Sequence, residues 1–285
     1  MTDSLINNNS MKKFAVFGNP IVQSLSPTIH QMFAKQCGEQ ISYEKILAPE
    51  DGFTPAANTF LSQPGAVGCN VTMPFKQDAF ALASVDDQAA LDAKAVNTLM
   101  KRSDGTIAGF NTDGVGLVND LLNHGVQLQG KRVLLIGAGG AARGVIAPLI
   151  ASGIASLHLT NRTKAKAETV ASETGGGRVK VVGIEDCDKV APHIIINSTA
   201  ASLSETLPFD MNATLFKECE TAYDMVYRAE PTYFMQQALS LGALQVLDGL
   251  GMLVEQAAAS FTIWTGYKPK TSAVIDVLRS QLKAK

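Results

Sequence analysis

Cysteine is scarce in this chain: Cys37, Cys69, Cys187 and Cys219 are spread over 285 residues with no CxxC pair. That spacing fits reduced thiols in the cytoplasm better than a disulfide framework or a thiolate zinc site. Histidine is equally sparse, with four residues and no HExxH spacing, so no metal-ligand set is legible. Neither sign of charge dominates: 24 Lys and Arg face 26 Asp and Glu, a formal net of -2. A nucleic-acid or anionic-membrane surface normally carries a basic excess, so neither partner is expected. No apolar run approaches the roughly 18 residues that a membrane span requires. The opening MTDSLINNNS is polar and Asn-rich and lacks the basic and apolar regions of a signal peptide. Residues 1–10 therefore read as a disordered leader, with the fold beginning near Met11. What the chain does have is apolar content, 46% of its 285 residues, enough to build the cores of two domains.

The strongest local pattern is KRVLLIGAGGAARGVIAPLIASG, residues 131–153. A β-branched and leucine run leads into Gly137, Gly139 and Ala142 at GxGxxA spacing, and a helical apolar pattern follows to Gly153. In that context the first glycine permits a tight turn and the second lets backbone amides approach a pyrophosphate. The helix N-terminus then offers unpaired N–H groups to the phosphate charge. Pro148 falls inside this helix and is expected to kink it without ending it. About 20 residues on, an NAD site ends its next strand with an acid that binds the ribose 2′-hydroxyl. Here ASLHLTNRT ends in Asn161, Arg162 and Thr163, followed by Lys164 and Lys166. No carboxylate repels a 2′-phosphate, and a planar guanidinium can stack on adenine and pair with phosphate. The pattern predicts NADP over NAD. KVAPHIIINSTAAS reads as a buried parallel strand leaving into Asn197-Ser198-Thr199, and TAYDMVYRAEPT as another with Asp224 and Tyr227 near its end. Alternation of strands and helices over residues 131–248 gives a Rossmann-type doubly wound sheet.

The first hundred residues read as a second α/β domain. MKKFAVFGNP is a strand entering a turn, and QSLSPTIHQMFAKQCG carries it into a helix. Ser24 and Ser26 flank Leu25, so in an extended chain both hydroxyls face one way, toward a small polar ligand or a carboxylate. Ser26 before Pro27 is equally a helix N-cap. In NVTMPFK, an extended reading sets Asn70, Thr72 and Lys76 on one side and the apolar Val71, Met73 and Phe75 on the other. AVNTLMKRSDGTIAGFNTDG is a hairpin turning at Asp104-Gly105, and Asp113 opens the helix that follows. Helix capping is the plain role for an aspartate there. GLGMLVEQAAASFTIWTGYKPK is a long apolar helix beyond what the preceding sheet needs. It is expected to return to the first domain, with AVIDVLRSQLKAK as a final amphipathic helix. The expected division is a substrate domain over 11–112, an NADP-binding domain over 113–248, and helices over 249–285 that make the substrate domain discontinuous. A small-molecule site is expected in the cleft between them.

In this order SLSP, NVTMPFK, AVNT, NTDG, GAGGAA, NRT, YDMVY and GLGMLVEQ resemble the shikimate dehydrogenase family, over essentially the whole chain from Met11. The resemblance implies NADPH-dependent, reversible reduction of 3-dehydroshikimate to shikimate, in the pathway to aromatic amino acids. It implies a two-lobed fold with a mobile cleft; with the dispersed cysteines and missing ligand clusters, a cytoplasmic enzyme without a metal is expected, and a homodimer stays open. Ser24 and Ser26 are implied to hold the substrate carboxylate, with Tyr227 at the same end, while Thr72, Asn97 and Gln256 contact ring hydroxyls. Lys76 and Asp113 fall on the family's paired catalytic positions and also meet substrate. Gly137, Ala138, Gly139, Gly140 and Ala141 fall on its cofactor contacts. So do Asn161, Arg162, Thr163, Lys164, Ala165 and Lys166, together with Met225 and Gly249. The chain departs from the family's pattern at Gln23, Gln31, Gln88 and Lys94, the last at a position commonly glycine.

Reducing a ketone with hydride leaves negative charge on its oxygen, so a proton donor is needed there. Lys76 as an ammonium can polarise and then protonate that oxygen; as a neutral amine it can take the hydroxyl proton in the reverse direction. An ionised Asp113 at a helix N-terminus would oppose loss of the amine's charge in a dry cleft and orient it. The protons then belong to a coupled pair. On its own Lys76 reads as a surface cation, as most lysines are; the ordered motifs turn it toward the ligand. Two other readings stay open: a quinate/shikimate enzyme of broader cofactor use, including NAD, and a non-catalytic dinucleotide-binding regulator on the same fold.

Overall fold

The structure, a computed structural model, describes residues 11–284, so the expected leader at 1–10 lies outside the described residues. Two sheets organise the chain. The first contains β1 (Lys12–Gly18), β2 (Ile41–Leu47), β3 (Ala66–Val71), β4 (Thr98–Lys101) and β5 (Ile107–Phe110), in the order β2-β1-β3-β4-β5. β1 pairs parallel with β2 and β3, whereas β4 pairs antiparallel with β3 and β5. The β4–β5 turn holds Gly105 at φ 88, a left-handed conformation that glycine adopts without a Cβ clash.

The second sheet contains β6 (Arg132–Ile136), β7 (Ser156–Thr160), β8 (Val179–Val181), β9 (Ile194–Asn197), β10 (Thr221–Asp224) and β11 (Gln245–Asp248). Its order is β11-β10-β9-β6-β7-β8, and every pair is parallel. Helices cover both faces, so its central strands are continuous apolar runs; Val133, Leu134, Leu135, Ile194, Ile195 and Ile196 are all fully buried. The chain winds outward from β6 in one direction and from β9 in the other. The crevice of a doubly wound sheet opens at that reversal, outside the carboxyl ends. The helix Gly140–Ala151 that follows β6 continues through Pro148.

The helix Leu250–Thr265 ties the sheets together. Its Leu250, Val254, Ala257, Phe261 and Trp264 share an apolar core with Phe14 and Val16 of β1 and with Ile29 and Phe33 of helix Ser26–Cys37. Val274 and Leu278 of helix Ser272–Lys283 close the same core. Full burial of a side chain such as Phe261 stabilises by about 1.5–3 kcal/mol. Trp264 lies 4.7 Å from the Phe14 ring and donates its indole N–H to the Leu99 carbonyl at 3.0 Å. On its other side Leu250–Thr265 crosses the helix Asp113–Asn123. Gly116 permits that approach, because a Cβ there would stand 2.8 Å from Gln256 Cβ and 2.9 Å from the Met252 carbonyl oxygen. Gly114 does the same toward Gly140–Ala151, where a Cβ would overlap Pro148. The helix opened by Asp113 is thus clasped between two others. Among the described residues no helix is long and apolar enough to cross a membrane.

Two local expectations give way. The extended reading of NVTMPFK stops at Val71: the next residues form a turn in which the Phe75 amide donates to the Thr72 carbonyl at 3.0 Å, and Lys76 opens a helix, Lys76–Leu82. Pro74 supplies no N–H to a ladder, so alternation ends before it. Met73 is consequently exposed, while Phe75 is buried. Ser26 is not the cap of its helix either; Leu25 occupies the N-cap and no side chain caps it.

Candidate active site

Lys76, Asn97 and Asp113 meet where three elements begin. The turn after β3 delivers Lys76, the residue before β4 is Asn97, and β5 runs out through Asn111 and Thr112 to Asp113. Lys76 Nζ lies 2.5 Å from Asp113 Oδ2, with only 15% and 8% of the two side chains exposed. In so dry a setting desolvation offsets much of the Coulomb gain, so the pair fixes geometry more than it stabilises the fold. Asn97 Nδ2 donates to Asp113 Oδ1 and to Thr112 Oγ1, both at 2.9 Å. Asn97 Oδ1 accepts from the Thr112 amide and from Thr98 Oγ1, again at 2.9 Å. Both carboxylate oxygens of Asp113 therefore have a named donor, and the backbone before it is clamped. Behind this layer Asn70 Nδ2 donates to Thr98 Oγ1 at 3.1 Å and to Ser260 Oγ at 3.0 Å, and Asn70 Oδ1 accepts from Tyr43 at 2.7 Å. A buried network so well satisfied rigidifies what it supports.

A cavity of about 300 Å³ opens at the pair. Ser24, Ser26, Thr72, Asn97, Tyr227 and Gln256 line it with Lys76 and Asp113, and Ala141, Met225 and Gly249 wall the side toward the second sheet. The structure thus brings all eight expected substrate residues to one space. Ser24 Oγ donates to Ser26 Oγ at 3.1 Å. Burial raises the Tyr227 phenol above its ordinary value, and Asp248 adds to the effect, so the hydroxyl stays protonated. Gln256 donates one N–H to the Leu253 carbonyl at 2.8 Å, and its Oε1 accepts from Asn97 Nδ2 and Thr112 Oγ1, both at 3.4 Å.

A second cavity of about 510 Å³ lies at the switch between β6 and β9. Gly137, Ala138, Gly139, Asn161, Arg162, Thr163 and Lys166 line it. Gly137 has φ 109 and its Cβ position is only 2.5 Å from Ser198 Oγ, while Gly139 faces open space. That empty cradle in front of a helix N-terminus suits a pyrophosphate. Arg162, Thr163 and Lys166 are exposed, and two cations with a hydroxyl and the Asn161 amide suit a 2′-phosphate. The residues present therefore fit NADP(H). Lys164 and Ala165 line neither cavity; they stand exposed at the start of helix Lys164–Thr174. Ala141 faces the Lys76 cavity instead of the nucleotide one. Gly140 lines neither, but a Cβ on it would lie 3.7 Å from Lys76 Cδ, so the start of helix Gly140–Ala151 abuts the lysine.

The wall of this second cavity extends beyond the residues expected to meet the cofactor. Ser198, Thr199 and Ala200 line it, and their polar run at a strand's carboxyl end was a readable signal. Thr206, Leu207, Pro208 and Phe209 line it too, with no local pattern to mark them. Among the described residues no group of three or more His, Cys, Asp or Glu could hold a metal ion.

Residues 16–99 match a family model described as the shikimate dehydrogenase substrate binding domain. Residues 119–221 match one described as shikimate / quinate 5-dehydrogenase, and 249–279 one described as the shikimate 5'-dehydrogenase C-terminal domain. A curated relative, the shikimate dehydrogenase (NADP(+)) of Alteromonas mediterranea, is 66% identical over 269 residues, covering 94% of this chain and 96% of its own. The crystal structure of an Ael1 enzyme from Pseudomonas putida aligns with a TM-score of 0.87 at 39% identity, covering 94% of this chain and 98% of that one. Shikimate 5-dehydrogenase from Thermus thermophilus, in complex with NADP(H) and shikimate, aligns with a TM-score of 0.84 at 32% identity, covering 95% and 100%.

Proposed function

The chain belongs to the shikimate dehydrogenase family, and on that premise we propose that it interconverts 3-dehydroshikimate and shikimate with NADP(H), using Lys76 and Asp113 as its acid–base pair. The observation that carries this reading is the 2.5 Å contact between Lys76 Nζ and Asp113 Oδ2 inside a cavity lined by hydroxyls and amides. NADP(H), when bound, supplies or accepts the hydride. Lys76 gives a proton to the ketone oxygen as negative charge gathers there, and takes it back in the reverse direction. Asp113 orients the amine, and Asn97 orients Asp113. Ser24 and Ser26 offer hydroxyl donors to the substrate carboxylate, while Thr72 and Gln256, which line the same cavity, contact ring hydroxyls. Arg162 and Lys166, with Asn161 and Thr163, hold the 2′-phosphate, and amides following Gly137 hold the pyrophosphate.

The test is shikimate-dependent NADPH formation by the purified protein. Lys76→Ala is expected to lower kcat by at least about a hundredfold, the lower range for acid–base catalysis. Turnover near wild type in that variant would remove the pair from the mechanism. Parallel assays with quinate and with NAD+ separate this reading from one of broader specificity. NADPH binding without turnover of either substrate would mark a non-catalytic protein.

A further inference from the structure

Asp224 ends β10 with a fully buried carboxylate and no cation beside it among the described residues. Four neutral groups hold it instead. Asn197 Nδ2 and the Val226 amide donate to Oδ1, each at 3.1 Å. Ser202 Oγ and Thr232 Oγ1 donate to Oδ2 at 2.5 and 2.6 Å. Two of these donors are N–H groups that cannot accept, and Thr232 Oγ1 already accepts from the Met235 amide at 3.3 Å. The set suits a carboxylate that only accepts. Burial holds this carboxyl above its ordinary value, and the four hydrogen bonds oppose that rise without cancelling it.

The neighbouring strand supplies the contrast. Asp248 stands in register with Asp224 across β10 and β11, and the Arg279 fork meets it with two bonds of 2.5 and 2.6 Å. One anion at the carboxyl edge of the sheet is cancelled and the next is left bare. A bare anion is costly to bury even when hydrogen-bonded, and its field is screened less there than in water.

What lies within that field follows from the topology. Asn197 is the register partner of Asp224 on β9, and its Oδ1 accepts from the Thr199 amide at 3.0 Å and from Thr199 Oγ1 at 2.7 Å. Thr199 and Ser198 line the nucleotide cavity, whereas Met225, next after Asp224, lines the Lys76 cavity. Asp224 therefore stands behind the partition between the two. A dinucleotide with its pyrophosphate at Gly137 and its reactive end at Lys76 must cross that partition.

Resting on the NADP(H) reading above, we propose that Asp224 is a fixed buried counter-charge that biases the site toward the oxidised cofactor, whose nicotinamide ring is positive, over the neutral reduced form. The bias favours ketone reduction, the direction in which that positive charge appears. Asp224 acts through its field and touches none of the reacting atoms.

Asp224→Asn tests this. The amide keeps the shape, and the Ser202 hydroxyl can turn to accept from it, so the wall stands while the charge goes. Dissociation constants for NADP+ and for NADPH are measured without substrate, by calorimetry, in wild type and variant. The ratio Kd(NADP+)/Kd(NADPH) is expected to rise about tenfold, the scale set by one unit charge at an effective dielectric of about 20. Equal weakening of both forms, the mark of a purely structural role, overturns the proposal. Ser202→Ala keeps the charge and removes one donor, so its ratio is expected to match wild type; a shift like that of Asp224→Asn also overturns it. If Asp224→Asn is unfolded by circular dichroism, Asp224→Ser, with room for a water, gives the same comparison. Wild-type protein that binds neither form overturns the NADP(H) reading together with this one, a result distinct from equal weakening.

Discussion

Gly144 faces Asp113 so closely that a Cβ built on it would stand 3.0 Å from the carboxylate oxygen Oδ2, and 3.0 Å from Asn111 Oδ1 as well. An alanine there forces the carboxylate to shift by a few tenths of an ångström. Displacements of about 1 Å can cost a hundredfold in rate, so Gly144→Ala is expected to lower kcat about tenfold with little change in NADPH affinity. Steady-state kinetics beside a binding titration checks the split; an unchanged kcat would show that the carboxylate has slack.

His30 stacks on Tyr43, with ring centroids 4.5 Å apart and planes 11° from parallel. Neither imidazole nitrogen has a hydrogen-bond partner. Burial pushes this histidine down from 6.5 to about 3, against a weaker upward pull from Asn70, which lies near but outside hydrogen-bond geometry. The unfolded chain therefore takes up the proton near 6.5 and the folded chain only near 3. Stability from this group is complete above 6.5 and is lost as pH falls toward 3. The slope approaches about 1.4 kcal/mol per pH unit. Urea unfolding from neutral to mildly acid pH measures it, and His30→Leu is expected to remove that share of the slope.

Arg162 stands exposed at the mouth of the nucleotide cavity. Arg162→Ala is expected to cut the preference for NADPH over NADH by about ten- to a hundredfold, the scale of one charge-assisted contact. The loss should fall on NADPH alone. Comparing kcat/KM for the two cofactors decides it, and equal losses would place the guanidinium elsewhere than at the 2′-phosphate.

Lys94 caps the helix Gln88–Ala93 at φ 48, in left-handed backbone. That conformation costs an L-residue about 1–2 kcal/mol, while glycine gives back about 0.5–1 kcal/mol through the entropy of the unfolded chain. Lys94→Gly is expected to stabilise by up to about 1 kcal/mol and to raise Tm by about 2–4 °C. A lower melting temperature would mean that the lysine side chain outweighs the strain of its backbone.

The nucleotide turn was legible because its parts are consecutive: strand, Gly137 to Ala142, helix, then Asn161-Arg162-Thr163 at the next strand's end. Lys76 was not legible in that way. Its side of the chain was inferred from an alternation that stops at Val71, and the ordered motifs, not the period, pointed it at the ligand. Gly114 and Gly116 read only as letters of NTDGVG, because the reasons for them, Pro148 and Gln256, arrive later in the chain. Asp224 was visible at the end of a strand. Its four donors come from Asn197, Ser202, Val226 and Thr232, and no local window contains them all. The wall from Thr206 to Phe209 has no periodicity, since long-range contacts place such loops.

Trp264 is the chain's only indole, and it sits beside Phe14, His30 and the Leu99 carbonyl in the core of the first sheet. Its emission is therefore a private reporter on one half of the molecule, whereas far-ultraviolet dichroism sums over both. Denaturation curves recorded by the two probes will coincide where the halves melt as one cooperative unit and part where they melt in turn. Nature has left the protein with a built-in gauge of its own cooperativity.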